Sequence, residues 1–213
     1  LHEGTDLAIS RGTIASQHKA IVIGNIWSES WLAFLRWYVA MSPVSVDWFG
    51  AATDEFSEAT RLELERDGIS LKGFVSDADL RAQFENYHYA IVPFGALGFD
   101  DSHRWQEKFS MPSKIIYFLC CSQLPILVLS NSVNPATNFV QKFDIGCVCK
   151  GTQKDLDRVN KSLSDPDEIS RFRESSRKLA PLFTDEGIGD FILNSIDGAG
   201  PPDCRFEDLF GRV

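Results

Sequence analysis

The sequence has no run of about 18 apolar residues, the minimum that a membrane-spanning helix needs. Its first residues, Leu1 to Asp6, are polar and do not resemble a secretion signal. Basic residues are also scarce, since 21 Lys and Arg face 30 Asp and Glu, a net charge of −9. This balance argues against a sequence-independent grip on nucleic acid or anionic lipid, because both carry dense negative charge. Any phosphate that the protein binds must be held by a local site.

The motifs that identify common cofactor and catalytic sites are missing as well. The chain has no Gly-x-Gly-x-x-Gly fingerprint, no Walker loop, no His-Glu-x-x-His motif and no Gly-x-Ser-x-Gly elbow. Three of its four histidines, His2, His18 and His88, show no metal-ligand spacing. We therefore expect neither a dinucleotide cofactor nor a bound metal.

Cysteine occurs only five times, an odd number that does not suit a disulfide framework. Cys147 and Cys149 alternate onto one face of an apolar segment with no histidine nearby, which favours buried thiols over metal ligands. The pattern fits a reducing compartment, so we expect a cytoplasmic protein. The cysteines are Cys120, Cys121, Cys147, Cys149 and Cys204.

The chain has 213 residues and 44% hydrophobic content, enough to bury one sizeable core or at most two small ones. Apolar runs of strand length alternate with amphipathic stretches of helical length. The predicted strands are Lys19–Gly24, Val44–Ala51, Ile69–Val75, Tyr89–Phe94, Leu124–Ser130 and Gly146–Lys150. The predicted helices are Trp27–Ala40, Asp54–Asp67, a helix capped by Ser76 and Asp79 that reaches Tyr87, Ile115–Cys121, Lys154–Leu163, Pro166–Phe183 and Gly189–Ile196.

The strands are continuous apolar runs rather than alternating ones, which indicates that helices cover both faces of the sheet. We therefore predict an α/β fold with a Rossmann-like, doubly wound parallel sheet of about six strands. Ligands of such sheets bind beyond the carboxyl ends of the strands. Residues that directly follow a strand are thus the first candidates for a site.

The strongest candidate is the segment Ser110 to Lys114, which opens a helix. A helix N-terminus presents unpaired N–H groups and about half a positive charge. With serine at the cap, proline in the first turn and Lys114 nearby, Ser110, Ser113 and Lys114 could seat a phosphate. The alternative is a well-capped core helix with no ligand.

Weaker candidates follow the first and third strands. Gly24 lets the backbone at Gly24 and Asn25 approach a ligand closely, although a plain tight turn would use the same residues. Phe74 and Val75 could offer backbone groups and an aromatic face to a nucleobase, although phenylalanine is more often a core residue.

The segment Gly95 to Phe109 has no clear periodicity, and long connections of this kind are usually functional or mobile. His103 and Arg104 lie in it beside Asp100 and Asp101. They could supply a proton-transfer group and a cation, which makes them candidate catalytic residues, or they could be solvated loop residues.

Two stretches together resemble a known family. They are ISLKGFVSDADLRAQFENYHYAIVPF (Ile69 to Phe94) and SMPSKIIYFLCCSQLPIL (Ser110 to Leu127). Both are similar to the C-terminal, donor-binding domain of GT-B glycosyltransferases of the large group 1 family. The start, His2 to Leu7, resembles the linker that precedes this domain in the family.

The resemblance implies a set of donor contacts. A nucleotide-sugar diphosphate would lie on Ser110, Ser113 and Lys114, and its base near Phe74 and Val75. Gly24 and Asn25 would approach the phosphates or the sugar. Such enzymes generally need no metal for the phosphate, because the helix dipole and cations neutralise it.

This chain departs from the family pattern at three places. Tyr117 and Phe118 stand where the family commonly has a ribose-binding glutamate, and neither can accept two ribose hydroxyls as a carboxylate would. Tyr117 is still counted among the candidate donor contacts because of its position. The usual glycine before the next strand is replaced within Cys120 to Leu124. The arginine and lysine that often follow the first strand are absent.

The resemblance also implies a division of the chain into an interdomain linker at 1–18, a nucleotide-sugar-binding domain at 19–197 and a C-terminal tail at 198–213. The expected function is transfer of a sugar from a nucleotide diphosphate to a glycan or lipid-linked acceptor. The expected partners are the nucleotide sugar, that acceptor and an N-terminal GT-B domain absent from this chain, which could bring the enzyme to the inner face of a membrane. Alone, the domain should bind nucleotide weakly and not turn over. The alternatives are a non-catalytic interaction module that has lost the donor site and a GT-B-shaped sugar-nucleotide epimerase.

Overall fold

The computed structural model describes residues 18–25, 29–50, 56–94 and 110–183, and residues 193, 194, 196 and 198 beyond them. Six strands form one sheet in the order β3-β2-β1-β4-β5-β6, and all neighbouring pairs are parallel. This confirms the predicted Rossmann-like α/β sheet. The strands are β1 (His18–Ile23), β2 (Val44–Phe49), β3 (Ile69–Gly73), β4 (Tyr89–Pro93), β5 (Ile126–Leu129) and β6 (Gly146–Cys149).

Seven α-helices in the described residues between 29 and 179 surround the sheet. Among those residues, no helix is long and apolar enough to cross a membrane. The helices are α1 (Glu29–Met41), α2 (Glu58–Arg66), α3 (Asp77–Arg81), α4 (Ser113–Cys121), α5 (Pro135–Lys142), α6 (Gln153–Ser164) and α7 (Pro166–Leu179), and short 3₁₀ helices occupy Phe84–Asn86 and Ala180–Phe183.

Two hydrophobic clusters cover opposite faces of the sheet, as the continuous apolar strands predict. Along β1, Ala20 belongs to one cluster and its neighbour Ile21 to the other, because successive strand side chains point to opposite faces. Helices α1, α2 and α6 pack on the first face, and α4 and α5 on the second. Helix α7 packs against both faces, since Phe172 belongs to the first cluster and Leu179 to the second.

The helix that was expected to run from the Ser76 cap to Tyr87 is shorter than predicted. Ser76 does cap α3, because its hydroxyl oxygen accepts from the Asp79 N–H at 3.2 Å. The helix ends at Arg81, and a 3₁₀ turn follows at Phe84–Asn86. The turn buries Phe84 and is followed by Tyr87, whose hydroxyl donates to the buried Asp47 carboxylate at 2.8 Å. Packing of these two aromatic side chains thus replaces the regular helix.

Helix α5 is not predicted by the sequence analysis. It is short, but its start carries clear signals: Asn134 and Thr137 form a reciprocal capping box and Pro135 occupies the first turn. Its buried residues Ala136, Phe139 and Val140 follow helical spacing. The proposed linker before residue 18, the segment Gly95 to Phe109 and most of the tail lie outside the described residues.

The strand order places a topological switch between β1 and β4. The chain leaves β1 toward β2 on one side of the sheet and leaves β4 toward β5 on the other. The connections therefore diverge at the carboxyl ends of these two strands, which is where open α/β sheets bind ligands. Helix α4, the element that follows β4 in the described chain, begins at this place.

Candidate functional site

A cleft of about 490 Å³ opens at the carboxyl edge of the sheet. Its wall comprises the ends of β1 and β2, the residues after β3, the first turn of α3 and the first turns of α4. Six of the eight predicted donor contacts line it, namely Gly24, Asn25, Phe74, Val75, Lys114 and Tyr117. The fold thus brings together residues that are separated by up to 93 positions in the sequence.

The turn after β1 is held tightly from both sides. Gly24 has a φ of 76°, a left-handed conformation that glycine adopts without strain. Its N–H donates to the Phe49 carbonyl at 2.7 Å, and its own carbonyl accepts from the indole N–H of the buried Trp48 at 2.7 Å. A Cβ on Gly50 would lie 2.5 Å from the Gly24 oxygen, so the neighbouring strand end also requires glycine. The floor of the cleft is therefore backbone held in place by hydrogen bonds.

Lys114 extends from the first turn of α4 over this floor. Its ammonium donates to the Asn25 carbonyl at 3.2 Å, and its Cε would lie 2.8 Å from a Cβ on Gly24. Burial lowers the pKa of Lys114, because the charged form loses contact with water. Among the described residues, no carboxylate forms an ion pair with it. An anion in the cleft would compensate this desolvated charge.

The serines of the predicted phosphate seat are placed differently. Helix α4 begins at Ser113, and its cap is Pro112, which makes no side-chain capping bond. Serine is therefore not the cap. Ser110 and Ser113 are exposed, and neither lines the cleft. Lys114 is the part of that predicted seat that reaches the cleft.

Two residues after β3 differ sharply in exposure. Phe74 is 77% exposed, whereas Val75 packs against the second hydrophobic cluster. A large aromatic side chain left this exposed beside a cleft is unlike a core phenylalanine, which was the alternative from the sequence. Its ring is available to a planar ligand group.

Tyr117 takes part in a polar group at the cleft wall. Its hydroxyl donates to Oδ1 of Asp77 at 2.5 Å, and the Nε of Arg81 lies 2.7 Å from Oδ2 of the same carboxylate. The Arg81 guanidinium also lies over the Tyr117 ring, 5.8 Å from its centroid. Burial, together with the hydrogen bond to Asp77, raises the pKa of Tyr117 to about 12, so the hydroxyl keeps its proton.

Asp77 is a charged residue of the cleft that sequence reasoning missed. In the sequence, Asp77 directly follows the Ser76 cap, which indicates the first turn of α3. Nothing in the local sequence indicates that it pairs with a tyrosine 40 positions later. The other candidates cannot be placed, since His103 and Arg104 lie outside the described residues. Within the described part of the chain, no cluster of three metal-ligating side chains occurs.

Comparisons with known proteins show the fold. The sequence matches no family model and no curated protein. Similar solved structures include an O-GlcNAc transferase from Thermobaculum terrenum, with TM-score 0.56 and 15% identity over 85% of this chain and 35% of that one. WaaG, a glycosyltransferase involved in lipopolysaccharide biosynthesis, has TM-score 0.53 and 13% identity over 86% and 48%. The catalytic domain of cholesterol-α-glucosyltransferase from Helicobacter pylori has TM-score 0.51 and 14% identity over 78% and 99%.

This chain spans about a third to a half of the length of the first two of these proteins. At such low identity the likeness establishes architecture and nothing finer. The expected resemblance to a GT-B domain is confirmed at the level of the fold. The chain therefore has the fold of a domain of the GT-B glycosyltransferases.

Proposed function

We propose that this chain is the donor-binding domain of a glycosyltransferase, which transfers a sugar from a nucleotide diphosphate to a glycan or lipid-linked acceptor. The observation that carries the proposal is the cleft at the carboxyl edge of the sheet. It combines the partly buried cation Lys114 with the exposed ring of Phe74. A nucleotide has the matching chemistry, with an anionic diphosphate at one end and a planar base at the other.

The diphosphate would lie over Gly24 and Asn25, with Lys114 as its charge partner. The Lys114 side chain lies over Gly24, where a Cβ would project, so a phosphate beside Gly24 and Asn25 would meet its ammonium. As the bond to the sugar breaks, negative charge develops on the departing diphosphate. A desolvated ammonium that is already in place stabilises that charge more than a solvated one would.

The comparisons support this assignment at a coarser level. The similar structures are glycosyltransferases, and one, a pneumococcal O-GlcNAc transferase with TM-score 0.50 and 13% identity over 86% of this chain and 37% of that one, was solved with UDP and GlcNAc. Because this chain spans only part of such proteins, we propose that a second GT-B domain supplies the acceptor site. The isolated chain should then bind nucleotide weakly and not transfer sugar.

Titration of this chain with UDP-, GDP-, ADP- and dTDP-sugars, by calorimetry and by NMR for weak binding, tests the proposal. We expect one nucleotide class to bind, and Lys114→Ala to weaken it by about 10- to 100-fold, since a charge-assisted hydrogen bond contributes about 1.5–3 kcal/mol. The matched control is Lys154→Ala, which removes an exposed lysine in the first turn of α6 and should leave affinity unchanged.

Two results would contradict the donor assignment. One is the absence of binding by all four classes, which would favour the non-catalytic module. The other is equal affinity of the wild type and Lys114→Ala, which would place the nucleotide elsewhere.

A further inference from the structure

We infer that Asp77, held by Tyr117 and Arg81, binds the ribose hydroxyls of the nucleotide and makes the cleft selective for ribonucleotides over 2′-deoxyribonucleotides. The inference rests on the proposed function and specifies its substrate class. It is carried by the placement of one carboxylate in the cleft wall and by the two side chains that orient it.

The Asp77 carboxylate is both fixed and accessible. Tyr117 donates to one oxygen at 2.5 Å and Arg81 contacts the other at 2.7 Å, while the Asp77 side chain is 59% exposed. An ionised carboxylate has about four acceptor positions, so these two partners leave capacity for a ligand. A vicinal diol donates two adjacent hydrogen bonds, which suits an oriented carboxylate.

Tyr117 does not serve the diol in this way itself. Its one proton is already donated to Asp77, so its hydroxyl has only acceptor lone pairs left. The raised pKa of Tyr117 agrees with this geometry, because the hydroxyl stays protonated at neutral pH and remains a donor to Asp77. Tyr117 is therefore a positioning residue, and Asp77 is the group that would contact ligand.

The carboxylate also lies at the right place along the cleft. Tyr117 follows Lys114 by three residues, so the two share a face of α4 and are about 4.5 Å apart along its axis. Asp77 follows the exposed Phe74 by three residues, in the part of the wall formed by the end of β3 and the start of α3. The Tyr117–Asp77 pair thus joins the wall that carries the cation to the wall that carries the aromatic ring. Ribose connects diphosphate and base in the same order.

Arg81 makes a carboxylate compatible with an anionic ligand. An unpaired aspartate would repel a diphosphate in the same cleft. The ion pair with Arg81 balances that charge locally, and the same guanidinium lies over the Tyr117 ring. The three side chains therefore form one oriented, nearly neutral unit.

The test compares UDP, GDP and ADP with their 2′-deoxy counterparts, using this chain and calorimetric or NMR titration. We expect the ribonucleotide that binds to do so about tenfold more tightly than its deoxy form. Asp77→Asn should weaken the ribonucleotide more than the deoxynucleotide, which keeps only the 3′-hydroxyl as a donor, so that the ratio approaches one. Tyr117→Phe should reduce the ratio in part, because Asp77 loses one of its two anchors.

The control is Asp79→Asn, a change of the same kind in the same helix. Asp79 does not line the cleft, and its carboxylate accepts from the Ser76 hydroxyl at 2.7 Å, so the ribose ratio should not change. Equal affinity of ribo- and deoxynucleotide for the wild type would overturn the inference and leave the proposed function intact. Equal weakening of both by Asp77→Asn would also overturn it, since that pattern indicates a structural role. If no nucleotide binds, the proposed function fails and this inference fails with it.

Discussion

Gly24 couples backbone conformation to the position of the cleft lysine, and Gly24→Ala should disturb both. The residue has a φ of 76°, and its N–H and carbonyl are both held by hydrogen bonds of 2.7 Å. The turn cannot relax to a negative φ without breaking them. An alanine Cβ there would lie 2.8 Å from Cε of Lys114 and 3.1 Å from its Nζ. Since the side chain is flexible at this end, we expect Lys114 to move rather than the backbone.

The substitution therefore has two separate effects. A left-handed conformation costs a non-glycine residue about 1–2 kcal/mol, and for a domain of this size each kcal/mol lowers Tm by about 2–4 °C. We expect Tm to fall by about 2–8 °C. Displacement of Lys114 breaks its bond to the Asn25 carbonyl and moves the charge from its place over the cleft floor. Affinity for the nucleotide should fall by about tenfold, part of the loss expected for removal of the lysine.

Gly151→Ala is the matched control. Gly151 also has a positive φ, 84°, and a Cβ there would meet only the Phe34 ring, at 3.3 Å from Cζ. Backbone strain is thus comparable, but Gly151 does not line the cleft. Thermal unfolding should show similar losses for the two variants, and titration should show weaker nucleotide binding for Gly24→Ala alone.

A double-mutant cycle completes the test. With Lys114→Ala already present, Gly24→Ala should change affinity by less than about twofold, because no lysine is left to displace. Equal effects of Gly24→Ala with and without Lys114 would refute the reasoning, and so would equal loss of affinity in Gly24→Ala and Gly151→Ala.

Two further predictions concern stability. Tyr38 and Tyr89 share a hydrogen bond of 2.9 Å between buried hydroxyls. Tyr38→Phe should therefore lower the free energy of unfolding, measured in urea, by about 1–3 kcal/mol. The double variant with Tyr89→Phe should lose less than the sum of the two single losses. Burial raises the pKa of both hydroxyls above the ordinary value of 10.0. The unfolded chain therefore ionises first, so the stability of the wild type should hold up to about pH 10 and fall above it, and it should fall less steeply in the double variant. Additive losses in the two single variants, or the same decline of stability with pH in wild type and double variant, would contradict this. Gln123→Gly should raise Tm by about 2–4 °C, because Gln123 has a φ of 55° at the end of α4 and glycine removes about 1 kcal/mol of strain there. An unchanged Tm would show that Gln123 is not strained.

The fold could be predicted because its signals are local. Each strand is a short apolar run, and both faces of the sheet are buried, so continuous apolar runs predict a parallel sheet with helices on either side. Ser76 could be identified as a cap from its own neighbourhood. The 3₁₀ turn at Phe84–Asn86 could not, because it depends on Tyr87 reaching the Asp47 carboxylate, a contact across 40 residues.

The candidate site also contains residues that local sequence signals predict and residues that depend on distant contacts. Gly24 and Phe74 could be proposed because parallel strands end at one edge, and the rule that ligands bind there needs only strand positions. The serines near Lys114 were proposed from capping chemistry, but the helix begins at Ser113 with Pro112 as its cap, so those hydroxyls do not reach the cleft. Asp77 could not be proposed from the sequence, because the role that we infer for it depends on two anchors, and the Tyr117 anchor comes from another helix.

The net negative charge of the chain contrasts with the positive charge of Lys114 in the cleft. A chain with a net charge of −9 repels diffuse polyanions, yet Lys114 is partly buried at the switch point of the sheet, with the Asn25 carbonyl as its partner there. Burial of a cation without a counter-ion costs free energy, and a lowered pKa expresses that cost. A bound diphosphate would repay it by restoring charge balance inside the cleft.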